Sequence, residues 1–173
     1  FLSVCTPPCS LYEARRKFGG LFPKEEEIMI EGQVENKGLD EKLFNTILKT
    51  ILDMPALQNM NIVPKYLAPG KAGFEMTVDP AYSNSRGTTH GGLIAALVDT
   101  TMGYAGICLD LMLVTLEMNL NYFASVKVGE KIFADGEVIH AGRTTVVAEA
   151  RVYDSKNKLV TKSRGTYFPV GKM

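Results

Sequence analysis

The chain has no surplus of either charge: Lys plus Arg and Asp plus Glu each number 19 in 173 residues, for a formal net charge of zero. A protein that grips nucleic acid through its phosphates needs a basic surplus, so no nucleic-acid partner is expected. A local basic patch for a phosphorylated small molecule stays compatible with that balance. Cysteine is scarce and odd in number: Cys5, Cys9 and Cys108. Cys5 and Cys9 lie close together, but no second ligand pair is near them, so no metal site is expected. Cys108 sits among apolar residues and reads as a small core side chain. The simplest setting for such a set is a reducing compartment. No apolar run reaches the roughly 20 residues of a membrane span. The nearest, Leu93 to Leu113, is interrupted by Asp99 and Asp110 and reads as a packed core helix. The chain starts at Phe1, which leads us to expect a segment removed upstream. The expected compartment is the cytoplasm, or the mitochondrial matrix if that segment was a targeting one.

What is present divides into two parts. Residues 1–57 read as a helical extension. They hold a short basic piece from Leu11 to Phe18, a break at Gly19-Gly20, and a solvated charge run, Lys24-Glu25-Glu26-Glu27. They end in an amphipathic helix from Leu39 to Leu52. Its stripe is Leu39, Leu43, Phe44, Ile47, Leu48 and Ile51; Asp40 and Glu41 suit its N-terminus, Lys49 its C-terminal end, and Pro55 its stop.

Residues 58–173 read as an α+β domain. Ile62–Leu67 and Lys71–Val78 flank the turn Ala68-Pro69-Gly70. A central helix over about 90–109 comes next, followed by four strand-like runs: Leu111–Phe123, Lys131–His140, Thr144–Tyr153 and Leu159–Phe168. In the third run Thr144, Val146, Ala148, Ala150 and Val152 share one face, and Thr145, Val147, Glu149 and Arg151 the other. Hairpin-like breaks fall at Val128-Gly129, Ala141-Gly142 and Asp154–Asn157. We read these runs as a meander of four antiparallel strands. The helix is apolar nearly all round, so a curved sheet wrapped on it would cover it.

One stretch concentrates chemistry. A polar, glycine-bearing loop, Asn84-Ser-Arg-Gly-Thr-Thr-His90-Gly91-Gly92, runs straight into that helix, whose middle carries a single carboxylate, Asp99. The start of a helix offers unpaired backbone N–H groups that stabilise negative charge. A carboxylate among apolar residues is costly to bury without a use. Together they suggest an oxyanion held beside a base or nucleophile.

The spacing Asn84-x-x-Gly87-x-x-His90-Gly91-Gly92, then Asp99, then Met118-Asn-Leu-Asn-Tyr122, resembles the hotdog-fold acyl-CoA thioesterases of the phenylacetate (PaaI-like) type. Gly142-Arg143-Thr144 also looks like a turn of that group. The resemblance covers about two-thirds of the chain, residues 58–170. It implies a sheet around one long helix, assembled as a homodimer or a dimer of dimers, and hydrolysis of an acyl-CoA. CoA is then part of the substrate, and no further cofactor is implied. Gly91 would donate its amide to the thioester carbonyl. Asn84 and His90 would hold or polarise that end. Asp99 would act on water as general base, or attack directly. Thr115 would orient Asp99 or the water, with Thr100 and Thr101 as rivals. Gly92, Arg143 and Thr144 would contact substrate, and Lys158, Lys162 and Arg164 join Arg143 as candidates for the CoA phosphates.

Helix geometry adds a constraint. Eight residues separate Gly91 from Asp99, about 12 Å along a helix, too far for one thioester carbon to touch both. The working site is therefore expected to join Gly91 of one copy to Asp99 of another, in a two-fold dimer. Two other readings stand beside this one: a hotdog-type acyl-thioester dehydratase or hydratase, and a non-catalytic acyl-CoA binding module. Asn84 could simply shape an Asx turn, and His140 reads as structural. Tyr122 and Phe123 are expected to pack the core. The Leu39–Leu52 helix is expected to border the pocket mouth.

Overall fold

The computed structural model describes residues 34–173. The basic piece at Leu11–Phe18, the Gly19-Gly20 break, the charge run at Lys24–Glu27, and Cys5 and Cys9 lie outside the described residues. The elements in chain order are β1 (Glu35–Asn36), α1 (Glu41–Leu52), α2 (Pro55–Asn59), β2 (Ile62–Ala68), β3 (Lys71–Thr77), a 3₁₀ turn (Pro80–Tyr82), α3 (Gly91–Ile107), β4 (Met112–Tyr122), β5 (Lys131–Ala141), β6 (Val146–Asp154) and β7 (Leu159–Gly171).

Local signals account for the helix ends. Asp40 caps α1, its carboxylate accepting from the amides of Lys42 and Leu43. Phe44, Ile47, Leu48 and Ile51 form the buried stripe. Asp53 closes that helix two residues before Pro55, the stop the sequence marks, and Pro55 then opens α2, where proline has no amide to lose. Strand β1 pairs in parallel with β2 and so ties residues 35–36 into the sheet.

The seven strands form one sheet in the order β1-β2-β3-β5-β6-β7-β4. Strands β5, β6 and β7 are the expected antiparallel meander. Strand β4 does not join it at the β5 side. It crosses to the far edge and pairs with β7, Thr115 opposite Tyr167 and Tyr122 opposite Thr161. Next-in-sequence pairing is a tendency of connections, and the long final strand offers β4 a partner instead.

The sheet curves round α3, which touches strands β2 through β7. Along β6, Val146, Ala148, Ala150 and Val152 point inward and are buried, as the alternation requires. Thr144, expected on that face, sits in the preceding turn. On the helix, Leu97, Val98, Met102 and Ala105 are wholly buried. Helix and sheet come close at Gly136 of β5, where a Cβ would lie 2.9 Å from the Thr101 carbonyl oxygen. No helix among the described residues is long and apolar enough to cross a membrane.

The outer face of the sheet carries an ion network. Glu149 accepts from Arg164 at 3.1 and 2.6 Å and meets Lys162 at 3.2 Å. The bond from Arg164, aided by Lys162, holds the Glu149 carboxyl below its usual range. Two of the expected phosphate candidates, Lys162 and Arg164, are thus engaged with a carboxylate of their own chain.

Candidate active site

The loop before α3 is pinned from several sides. Asn84 uses its whole carboxamide within it: the nitrogen donates to Thr88 Oγ1 and the Thr89 carbonyl, and the oxygen accepts from the amides of Arg86 and Thr88. This is the Asx-turn role, and it leaves no Asn84 donor for a ligand. Thr89 is buried, its amide and hydroxyl both donating to the Val126 carbonyl. The His90 amide donates to Tyr82.

The amides at the head of α3 are then easily accounted for. The Gly92 N–H donates to His90 Nδ1 at 3.0 Å, so His90 is the side-chain cap of the helix. The Leu93 N–H donates to the His90 carbonyl. Among the described residues the Gly91 N–H meets no acceptor. It is an unpaired donor at the positive end of a 17-residue helix. Both glycines sit in close quarters: a Cβ on Gly91 would stand 3.3 Å from Tyr122 Oη, and one on Gly92 3.0 Å from His90 Nδ1.

Gly91 borders a depression of ≈ 340 Å³ lined also by Asn84, Thr88, Ile94, Tyr122 and Phe123. Tyr122 and Phe123, expected in the core, are 51% and 58% exposed. Their strand lies at the sheet edge, where nothing among the described residues covers its flank. Tyr122 donates its hydroxyl to the Gly91 carbonyl at 2.8 Å. No residue of α1 lines this depression.

Asp99 lies two turns further along α3 and is partly buried. Thr115 donates to Asp99 Oδ1 at 3.0 Å. Its rival Thr101 is buried and bonded to the Leu97 carbonyl. Tyr167 of β7 adds a longer contact, its hydroxyl 3.4 Å from both Oδ1 and the carbonyl oxygen of Asp99. Burial first, and then the Asp99 charge, push the Tyr167 phenol far up, so it stays a donor. Asp99 Oδ2 meets no partner among the described residues.

The structure therefore gathers Asp99 with Thr115, and separately His90, Gly91 and Gly92 with Asn84. Arg143 and Thr144 stand exposed in the turn closed by the Gly142 amide on the Thr145 carbonyl, and do not line this depression. His140 is exposed at a bulge of β5. Sequence reasoning missed Tyr122 and Tyr167 as neighbours of the site. The signal for Tyr167 was its place in an inward row with Thr161, Ser163 and Gly165, since a buried phenol needs a partner for its hydroxyl.

A sheet wrapped on one helix, with an unpaired amide at the helix start and an oriented carboxylate in its middle, defines a hotdog thioester hydrolase. The thioesterase superfamily model matches residues 86–161. Human acyl-coenzyme A thioesterase 13 is 34% identical over 102 residues, 57% of this chain and 73% of that one. The PaaI protein of the phenylacetic acid degradation operon of E. coli superposes with a TM-score of 0.74 over 79% of this chain and 99% of its own; at 23% identity this likeness speaks for the fold. A Streptococcus mutans protein solved bound to acetyl CoA is 32% identical, with a TM-score of 0.63 over 65% of this chain and 90% of its own. The chain belongs to the thioesterase superfamily.

Proposed function

We propose that this thioesterase hydrolyses acyl-CoA in a site shared between two copies of the chain. The observation that carries the reading is the split of the machinery. The unpaired Gly91 N–H and the Thr115-oriented Asp99 stand on one helix, about 12 Å apart by its rise. Two copies with helices antiparallel bring each amide to the other copy's carboxylate. The exposed edge strand β4 supports such pairing, because Val114 and Leu116 are 48% and 58% exposed on it and its outer hydrogen-bonding edge has no partner strand among the described residues. Relatives that act on or bind CoA esters support the choice of substrate.

In this reading Asp99 takes a proton from water through its open Oδ2 while Thr115 holds Oδ1. The water oxygen adds to the thioester carbon. The oxyanion forms at the Gly91 amide, with His90 beside it; one such donor contributes about 3–4 kcal/mol. Collapse of the adduct breaks the C–S bond and releases the acid and the CoA thiolate, a leaving group good enough to need no strong general acid. Direct attack by Asp99 would instead pass through an anhydride that water opens.

Among the described residues the carboxylate's partners are hydroxyls, Thr115 and Tyr167, not an imidazole. This favours hydrolysis over the His–acid proton transfer of a dehydratase. The oriented carboxylate likewise favours catalysis over passive binding. Asp99→Asn is the test. CoA release should fall on the order of a thousandfold with assembly unchanged. Full activity in that variant would reject the mechanism. Water addition to an enoyl-CoA would instead establish the dehydratase reading.

A further inference from the structure

We infer that Tyr122 is a positioning residue of this site, acting on His90 through a single peptide group. The kinetic part of the inference rests on the proposed thioester hydrolysis; the structural part does not. Tyr122 Oη donates to the Gly91 carbonyl at 2.8 Å. That carbonyl belongs to the peptide whose N–H is the Gly92 amide, and this amide donates to His90 Nδ1 at 3.0 Å. The two bonds run in the same sense through one amide. A bond donated to an amide oxygen draws density from its nitrogen and strengthens the N–H as a donor. A carbonyl has two lone pairs, so Gly91 accepts from Tyr122 without giving up its place in the helix ladder.

The consequence falls on the imidazole. A ring nitrogen that accepts cannot hold the proton of a neutral histidine, so the proton of His90 resides on Nε2. His90 is exposed, and its Nε2–H is open to a ligand as a donor of fixed tautomer. A histidine free to choose would spend part of its time with a lone pair there, repelling a developing oxyanion. Burial pushes the Tyr122 phenol up, so it stays protonated and able to drive the chain of bonds. A Cβ on either glycine would press on a member of this chain of bonds, Tyr122 Oη for Gly91 and His90 Nδ1 for Gly92.

The test is Tyr122→Phe, which keeps the ring and removes the hydroxyl. The chain has two histidines, so ¹⁵N spectra of the imidazoles are readily assigned with His140→Gln. Wild type should show His90 as the Nε2–H tautomer. In Tyr122→Phe the Nδ1–H tautomer should rise several-fold, and the Gly92 amide proton should move upfield. The kcat for acyl-CoA hydrolysis should fall about tenfold while KM stays within twofold and melting temperature and assembly size hold. An Nδ1–H tautomer in wild type overturns the inference whatever the variant does. So does an unchanged His90 spectrum and kcat in the variant, or a kcat loss that merely follows a loss of stability. A wild type that hydrolyses no thioester, with the tautomer shift still present, removes the proposed function and leaves the relay standing.

Discussion

Thr115 Oγ1 donates to Asp99 Oδ1 at 3.0 Å, joining the middle of α3 to the edge strand across 16 residues of sequence. The bond fixes which oxygen of Asp99 is held and which stays open. Thr115→Ala should free the carboxylate to rotate and lower kcat by up to about a hundredfold, the scale of a small misplacement. Thr115→Ser should restore most of the rate. Steady-state kinetics on one acyl-CoA with the three proteins checks this; equal rates for Thr and Ala would remove the role.

The edge strand itself makes a second prediction. Leu116→Lys places a charge on the apolar edge that we propose to meet a second copy. The variant should sediment as a smaller species and lose hydrolysis in parallel, since neither site would then be complete. Full activity from a demonstrated monomer would contradict the shared site.

Gly136 tests the packing of helix on sheet. Its Cβ would meet Thr101 at 2.9 Å, on both the Cγ2 and the carbonyl oxygen, and the latter is backbone. Gly136→Ala should therefore cost about 1–3 kcal/mol of stability by overpacking, read as a lower urea midpoint. Activity per folded molecule should change little, because Asp99 and Gly91 lie elsewhere on the helix.

Alkaline pH should weaken the fold in a defined window. Burial pushes the Cys108 thiol from 9.0 up to about 12, and the Tyr104 phenol from 10.0 up to about 12. Both folded values lie above the unfolded ones, so the stabilisation is complete below pH 9 for the thiol and below pH 10 for the phenol. It is lost as pH climbs towards 12, since the unfolded chain sheds these protons first. Urea midpoints measured from pH 8 to 11 should fall above 9. Cys108→Ala should delay that fall to about pH 10, the point at which tyrosine begins to ionise.

Much of this was readable from local pattern. Asp40 before an apolar stripe marked α1, and the His90-Gly91-Gly92 junction marked the start of α3. The alternation from Val146 to Val152 marked a half-buried strand. Asp99 stood out because a lone carboxylate in an apolar helix has a cost that needs a reason. Strand β1 was not legible, because two residues, Glu35 and Asn36, make too short a strand to announce themselves.

Sequence alone determined the helix, its glycine-opened start, the spacing of Gly91 from Asp99, and hence the need for a second carboxylate-bearing copy in the proposal. Those are matters of periodicity, capping and rise per residue, all decided within a few neighbours. Only the tertiary structure decided that β4 crosses to the edge beside β7, that Tyr122 and Phe123 face outward, and that Tyr167 reaches Asp99 across 68 residues. Strand partners are chosen by the competition of whole edges for hydrogen bonds and buried area, a choice that no single segment contains.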